Sequence, residues 1–187
     1  MPKVNRHNQG AIPSSLSLSN RAFRGLWALL YLLAFRPSPR FLHSWRRGLL
    51  RLMGARIGPG ANIHASVRIW APWNLTMGRF ACLAPHVDCY NVAPVTLGEH
   101  ATVSQYSYLC GASHDYTSLA LPLTPGPISI GAHAWICADV FVGPGVAVGE
   151  GAVVGARSSV YEDVKPWTVV GGNPARYLKP RILAGNS

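Results

Sequence analysis

Between residues 57 and 164 a large apolar side chain, mostly aliphatic, returns every six positions, and a second, mostly small or β-branched residue follows it by four. The pattern is cleanest from Ile130 to Val164, where the beat falls on Ile130, Ile136, Val142, Val148, Val154 and Val160. Its followers are Ala134, Val140, Val146, Ala152, Ser158 and Val164. A period of six matches neither a helix at 3.6 nor a simple strand at 2.0. It is divisible by two, so the first and fifth positions of each hexad point the same way from an extended chain. Short strands joined by tight corners into a prism, a β-helix, satisfy such a repeat. The same beat restarts upstream at Ile57, Ile63 and Ile69, at Met77, Leu83 and Cys89, and at Leu97, Val103 and Leu109. Two two-residue slips and one larger gap separate these runs. Three hexads per triangular coil predict an all-β solenoid, a parallel β-helix of about five coils over 57–165. An ordinary sandwich would instead alternate and turn at irregular spacing. Gly131, Gly143, Gly149 and Gly155 follow the aliphatic position, as sharp corners would require.

Before Ile57 the pattern changes. Residues 1–19 are polar, rich in Ser and Asn, and read as loosely ordered. The apolar run GLWALLYLLAF (25–35) is too short to span a bilayer. With RFLHSWRRGLLRLMGAR it predicts two short helices within an arm of residues 20–56. Residues 1–56 carry ten Lys/Arg and no acid, against four basic and seven acidic residues in 57–165 and three basic in 166–187. The net charge of +10 therefore belongs to the arm, which argues against nucleic acid as a partner of the repeat body. Two compatible readings of the arm follow. It caps the open end of the prism, or its basic face rests on an anionic membrane from the cytoplasmic side. A cap needs the leucines but not so many arginines, which favours adding the membrane contact. The four cysteines, Cys82, Cys89, Cys110 and Cys137, form no CxxC pair and read as small packing residues of a reduced, cytoplasmic protein.

The larger gap is the place to look for chemistry. After His114 the repeat is abandoned for residues 115–127, and a loop that interrupts a solenoid marks functional surface. A histidine there suits a general base, because imidazole titrates near neutrality. His7, His43, His64, His86, His100 and His133 lie in the arm, at corners or in ordinary hexads. No GxSxG elbow is present, so an acyl-enzyme is not required.

LGEHATV, IGAHAWICADVFVGPGVAVGEGAVVGARSSV and VVGGNPAR resemble the hexapeptide-repeat acyltransferases, in the branch of nodulation, maltose and galactoside O-acetyltransferases. With the arm included, the chain looks most like the exopolysaccharide, colanic-acid-type acetyltransferases. The resemblance implies left-handed winding, acetyl-CoA as co-substrate with no metal, a homotrimer, and a sugar or oligosaccharide acceptor. It makes His114 the base that deprotonates the acceptor hydroxyl for direct attack on the thioester. It matches Asn91, and less closely Asp88, to acceptor contacts, though either could instead satisfy its own turn. Asp115 joins them beside the base; it or a backbone carbonyl would orient the imidazole. Trp135, Ala138 and Ala156 match positions along the pantetheine arm. Arg157 stands where the family has glycine, either reaching a phosphate or crowding the adenine end, and Cys137 replaces another glycine. In the tail, 166–187, which is expected to leave the repeat and bind coenzyme A, Arg176 and Lys179 suit its 3′-phosphate. A γ-carbonic-anhydrase-like site would need a His-x4-His spacing that the chain lacks, and a scaffold would need none of these motifs.

Overall fold

The computed structural model describes residues 18–184, so most of the segment expected to be loosely ordered lies outside the described residues; Leu18 already begins a helix. Helix α1 (Leu18–Leu30) runs on through a π-helical turn at Tyr31–Phe35, and α2 (His43–Leu52) leads into the solenoid. The solenoid has three faces of parallel strands. The first stacks Arg56–Ile57, Leu75–Met77, Val95–Leu97, Ile128–Ile130 and Ala147–Val148. The second stacks Asn62–Ile63, Cys82–Leu83, Thr102–Val103, Trp135–Ile136 and Val153–Val154. The third stacks Arg68–Ile69, Asp88–Tyr90, Tyr108–Cys110, Phe141–Val142 and Ser159–Val160.

Five full coils result, and a sixth begins. Val164 bridges Val148, and Thr168–Gly171 extends the second face beside Val153–Val154. The chain thus stays in the solenoid past the point where the repeat fades. It then reverses, and Arg176–Pro180 pairs antiparallel with Thr168–Gly171.

The six-residue beat fills the core. Every aliphatic position from Ile57 to Val160 is buried, and so is every fifth position except Trp73 and Ser113. The glycines after the aliphatic residues have a different reason from the one expected. Cβ atoms built on Gly78, Gly98, Gly131 and Gly149 would lie 2.4–2.6 Å from backbone nitrogens of the next coil. Close approach of stacked coils, rather than a special φ, excludes side chains there. Gly98→Ala is expected to cost about 1–3 kcal/mol as an overpacked site, whereas Gly155→Ala, whose Cβ would sit 3.4 Å from its nearest neighbour, changes little. Urea unfolding of the two variants checks this.

His86, His100 and His133 take left-handed corner positions at φ 62°, 57° and 57°. His100 stacks between Phe80 and His133 at ring separations of 5.0 and 5.2 Å, and His86 stacks on Tyr106 at 5.1 Å. These histidines are corner residues held by ring stacking.

Hydrogen-bond polarity explains the arm. Along its faces each coil donates N–H groups to carbonyls of the next, as Asn62 does to Ala81 (2.8 Å) and His64 to Leu83 (3.2 Å). The first coil's own carbonyls therefore have no coil beneath them. The arm supplies the donors: Arg51 Nε to Ile57 O (3.0 Å), Arg47 to Ala61 O (3.0 Å), Arg46 Nε to Ile63 O (2.6 Å) and Trp27 Nε1 to Ile69 O (2.8 Å). His43 Nδ1 also lies 3.0 Å from Ile63 O. Arg46 is wholly buried, and its remaining N–H groups reach Ser38 Oγ, Pro39 O and Arg40 O, each at 2.8 Å. The expectation that a cap has no use for arginines is corrected: three of them satisfy an edge that would otherwise be orphaned.

Candidate active site

His114 does not end a coil, as the repeat suggested. Ala112–His114 forms a β-hairpin with Leu123–Pro125, in the register His114↔Leu123, projecting from the corner between the third and first faces. His114 is exposed, and its Nδ1 lies 2.6 Å from the carbonyl of Leu121. A carbonyl only accepts, so Nδ1 carries a proton, and in the neutral ring Nε2 then keeps its lone pair. Leu121 sits at φ 45°, a left-handed conformation unusual for leucine, at the residue whose carbonyl holds the imidazole. Nothing in the sequence singled out Leu121.

Asp115 is turned away from the imidazole. Its Oδ1 accepts from Thr117 N (2.9 Å) and Thr117 Oγ1 (2.5 Å), and these bonds hold the exposed carboxyl below its ordinary range. Of the two orienting groups weighed for His114, the backbone carbonyl is the one present. Asn91 also departs from expectation. It is fully buried, its Nδ2 donates to Ala71 O (2.6 Å) and its Oδ1 accepts from Ala71 N (2.9 Å), so its amide ties two coils together and is not offered to an acceptor. Asp88 faces outward from the third face beside Arg68, 3.4 Å away, where partial burial raises its carboxyl and the guanidinium opposes the rise.

The residues expected along the cofactor fall on one side of the prism. Trp135, Val153, Val169 and Lys179 are register partners in one column of the second face. Three strand spacings put Trp135 and Lys179 roughly 14 Å apart. Trp135 is exposed and its Nε1 donates to Ser104 Oγ (2.9 Å). Ala138 and Ala156 lie at the adjoining corner, where Ala138 O accepts from Arg157 N (2.9 Å). Arg157 takes the left-handed corner at φ 58° and faces Asp139 at 3.5 Å. Arg176 is exposed on the closing strand, 3.9 Å from Glu162. Cys137, replacing glycine, is half-buried on the second face, and burial raises its thiol. Arg181, overlooked in the sequence, ties the tail to the carbonyls of His133 (2.8 Å) and Gly151 (2.9 Å).

His114 and this column are therefore on different sides of one chain: the corner between the third and first faces, and the second face opposite. Ala138 and Ala156 put small side chains at the second-face corner, and Arg176 and Lys179 lie on the strand that closes that face.

No family model matches the chain. It is 41% identical over 172 residues, 92% of its length and 94% of the relative's, to an Escherichia coli (strain K12) protein named as a colanic acid biosynthesis acetyltransferase, WcaF. The chain belongs to the hexapeptide-repeat acetyltransferases. A hexapeptide-repeat acetyltransferase of Vibrio cholerae, solved with acetyl coenzyme A, superposes with a TM-score of 0.81 at 27% identity, covering 89% of this chain and 91% of that one. A galactoside acetyltransferase in complex with coenzyme A shares the fold at a TM-score of 0.83, 24% identity, and coverage of 90% and 86%. Like its family, this hexapeptide-repeat acetyltransferase winds as a left-handed parallel β-helix.

Proposed function

We propose that this acetyltransferase moves an acetyl group from acetyl-CoA to a sugar hydroxyl of an exopolysaccharide or oligosaccharide precursor. The likeness to the WcaF relative over nearly the whole chain carries the substrate class. The Leu121 carbonyl carries the mechanism, because it fixes the His114 tautomer with Nε2 free to accept a proton. His114 Nε2 takes the hydroxyl proton as the sugar oxygen attacks the thioester carbonyl; the ester C–O bond forms, the C–S bond breaks, and the proton ends on the departing thiol. Both substrates are bound together and no group on the enzyme is acetylated. Trp135, Ala138, Ala156, Arg176 and Lys179 hold acetyl-CoA along the second face.

The separation of His114 from that column within one chain supports a homotrimer in which the base of one copy meets the cofactor surface of its neighbour. Co-expressing His114→Ala with Trp135→Ala chains is then expected to restore part of the activity each lacks alone, since mixed trimers contain sites with both residues intact. No recovery, or a fully active monomer by light scattering, rejects the shared site.

The arm supports peripheral contact with an anionic membrane. Among the described residues no helix is long and apolar enough to cross a membrane. Leu29, Leu32, Leu33, Phe41 and Leu52 are nevertheless exposed on the arm, with Leu33 70% and Leu52 75% accessible. With Arg46, Arg47 and Arg51 engaged in capping, apolar insertion carries more of this contact than charge does. Co-sedimentation with phosphatidylglycerol vesicles is expected, weakened by salt and by Leu32→Glu with Leu33→Glu. An unbound wild-type protein leaves the arm as a cap only.

A further inference from the structure

Where α1 crosses the third face it leaves an open groove of about 820 Å³. Its floor is aromatic. Trp70 and Tyr90 are 5.8 Å apart edge to face, and Tyr90 and Tyr108 are 6.4 Å apart. The Arg24 guanidinium lies 3.8 Å over the Trp70 ring, and Arg21 and Arg68 also line the groove. The one carboxylate in the lining is Asp88, paired to Arg68, so positive charge is in excess. The strand that carries Tyr108 runs to Cys110 and passes through Gly111 directly into the strand that carries His114.

We propose that this groove binds an anionic saccharide, with sugar rings lying on Trp70 and Tyr108 and a negative group held by Arg24 and Arg68. The C–H face of a pyranose is apolar and packs on aromatic rings, while its hydroxyls reach Asp88 and the guanidinium groups. A neutral glycan would need the rings but not three arginines; an anion bound without a sugar would need the arginines but not the rings. The groove's chain direction, toward the His114 hairpin, makes it the seat of the portion of the acceptor next to the acetylated sugar. Only that last assignment rests on the acetyl-transfer reading.

The negative group is a carboxylate of a uronic acid or a phosphate at the reducing end, and direct binding tells them apart. Calorimetry on the full chain without acetyl-CoA compares a uronic-acid oligosaccharide, a sugar 1-phosphate and a neutral oligosaccharide of matched length. One of the charged ligands is expected to bind about tenfold or more tighter than the neutral one, and the tighter of the two names the source. Arg24→Gln is expected to weaken that ligand about tenfold and leave the neutral one unchanged. Trp70→Phe, which keeps a ring under α1, is expected to weaken both. Equal affinity for charged and neutral ligands, no binding, or an unaltered Arg24→Gln variant overturns the proposal. So does a loss of oligomeric state in Arg24→Gln, which would make the groove a contact between copies. Thiol release from acetyl-CoA is read separately, so a failed groove leaves acetyl transfer standing, and binding without turnover does the reverse.

Discussion

Replacing His114 with alanine is expected to lower acetyl transfer by at least ~10²-fold, the loss typical of a missing general base, with acetyl-CoA affinity kept. The cause is local. His114 is exposed on a hairpin, its Nδ1 engaged by Leu121 O. On the proposed mechanism, removing it takes away the proton acceptor without touching the second-face column. Asp115→Asn is the informative contrast. Its carboxylate bonds to Thr117 and not to the imidazole, so activity in that variant is expected to stay close to wild type. Steady-state rates with coenzyme A binding by calorimetry separate the two; a His114→Ala enzyme with wild-type turnover removes His114 from the chemistry.

The second large effect concerns stability. Arg46→Ala is expected to cost about 3 kcal/mol or more, because it empties the space of a large, fully buried side chain and breaks the hydrogen bonds that side chain makes. Arg46 is the buried donor to Ile63 O, Pro39 O and Arg40 O. For a chain of this size that is a fall in melting temperature of about 6–12 °C. Arg36→Ala, at an exposed position on the same arm, should change it by about a degree. The same cap makes stability depend on pH. Burial is the main cause holding the His43 and His64 imidazoles below their ordinary value, and the neighbouring arginines add to it. In the unfolded chain both take up protons near pH 6.5. Their contribution is therefore fully present above about pH 6.5 and is lost as pH falls through the lowered folded values. Melting curves from pH 8 to 5 should show the decline, and it should shrink in a His43→Gln variant.

Much of the fold was legible because burial in a solenoid obeys one short period. Ile57 to Val160 could be assigned to the interior from spacing alone, since each coil repeats the same inward direction. The exceptions are places where long-range contacts decide. Trp73 occupies a fifth position yet packs edge to face on Phe23 of the arm, at 6.0 Å. Ser113 keeps the spacing but belongs to the hairpin, where pairing with Thr124 takes it out of the core. The sixth turn hid because Val170 is buried without a hexad around it. The arginines of α2 looked like surface charge because an orphan carbonyl row cannot be seen until the direction of coil-to-coil bonding is known. At the site, His114 stood out because it adjoins the break in the repeat. Leu121 did not, since its part is played by a backbone oxygen, and Asn91 misled because its burial depends on the coil below.

The central claim, direct acetyl transfer to a sugar, is tested most directly by following labelled acetyl-CoA through a single turnover with the purified full chain and a panel of free and lipid-linked oligosaccharides. The account predicts that the label passes to a base-labile ester on a saccharide, with one coenzyme A thiol freed per ester and no label on the protein at any time. Label remaining on coenzyme A with every saccharide, or collecting on the protein before the sugar, would contradict it.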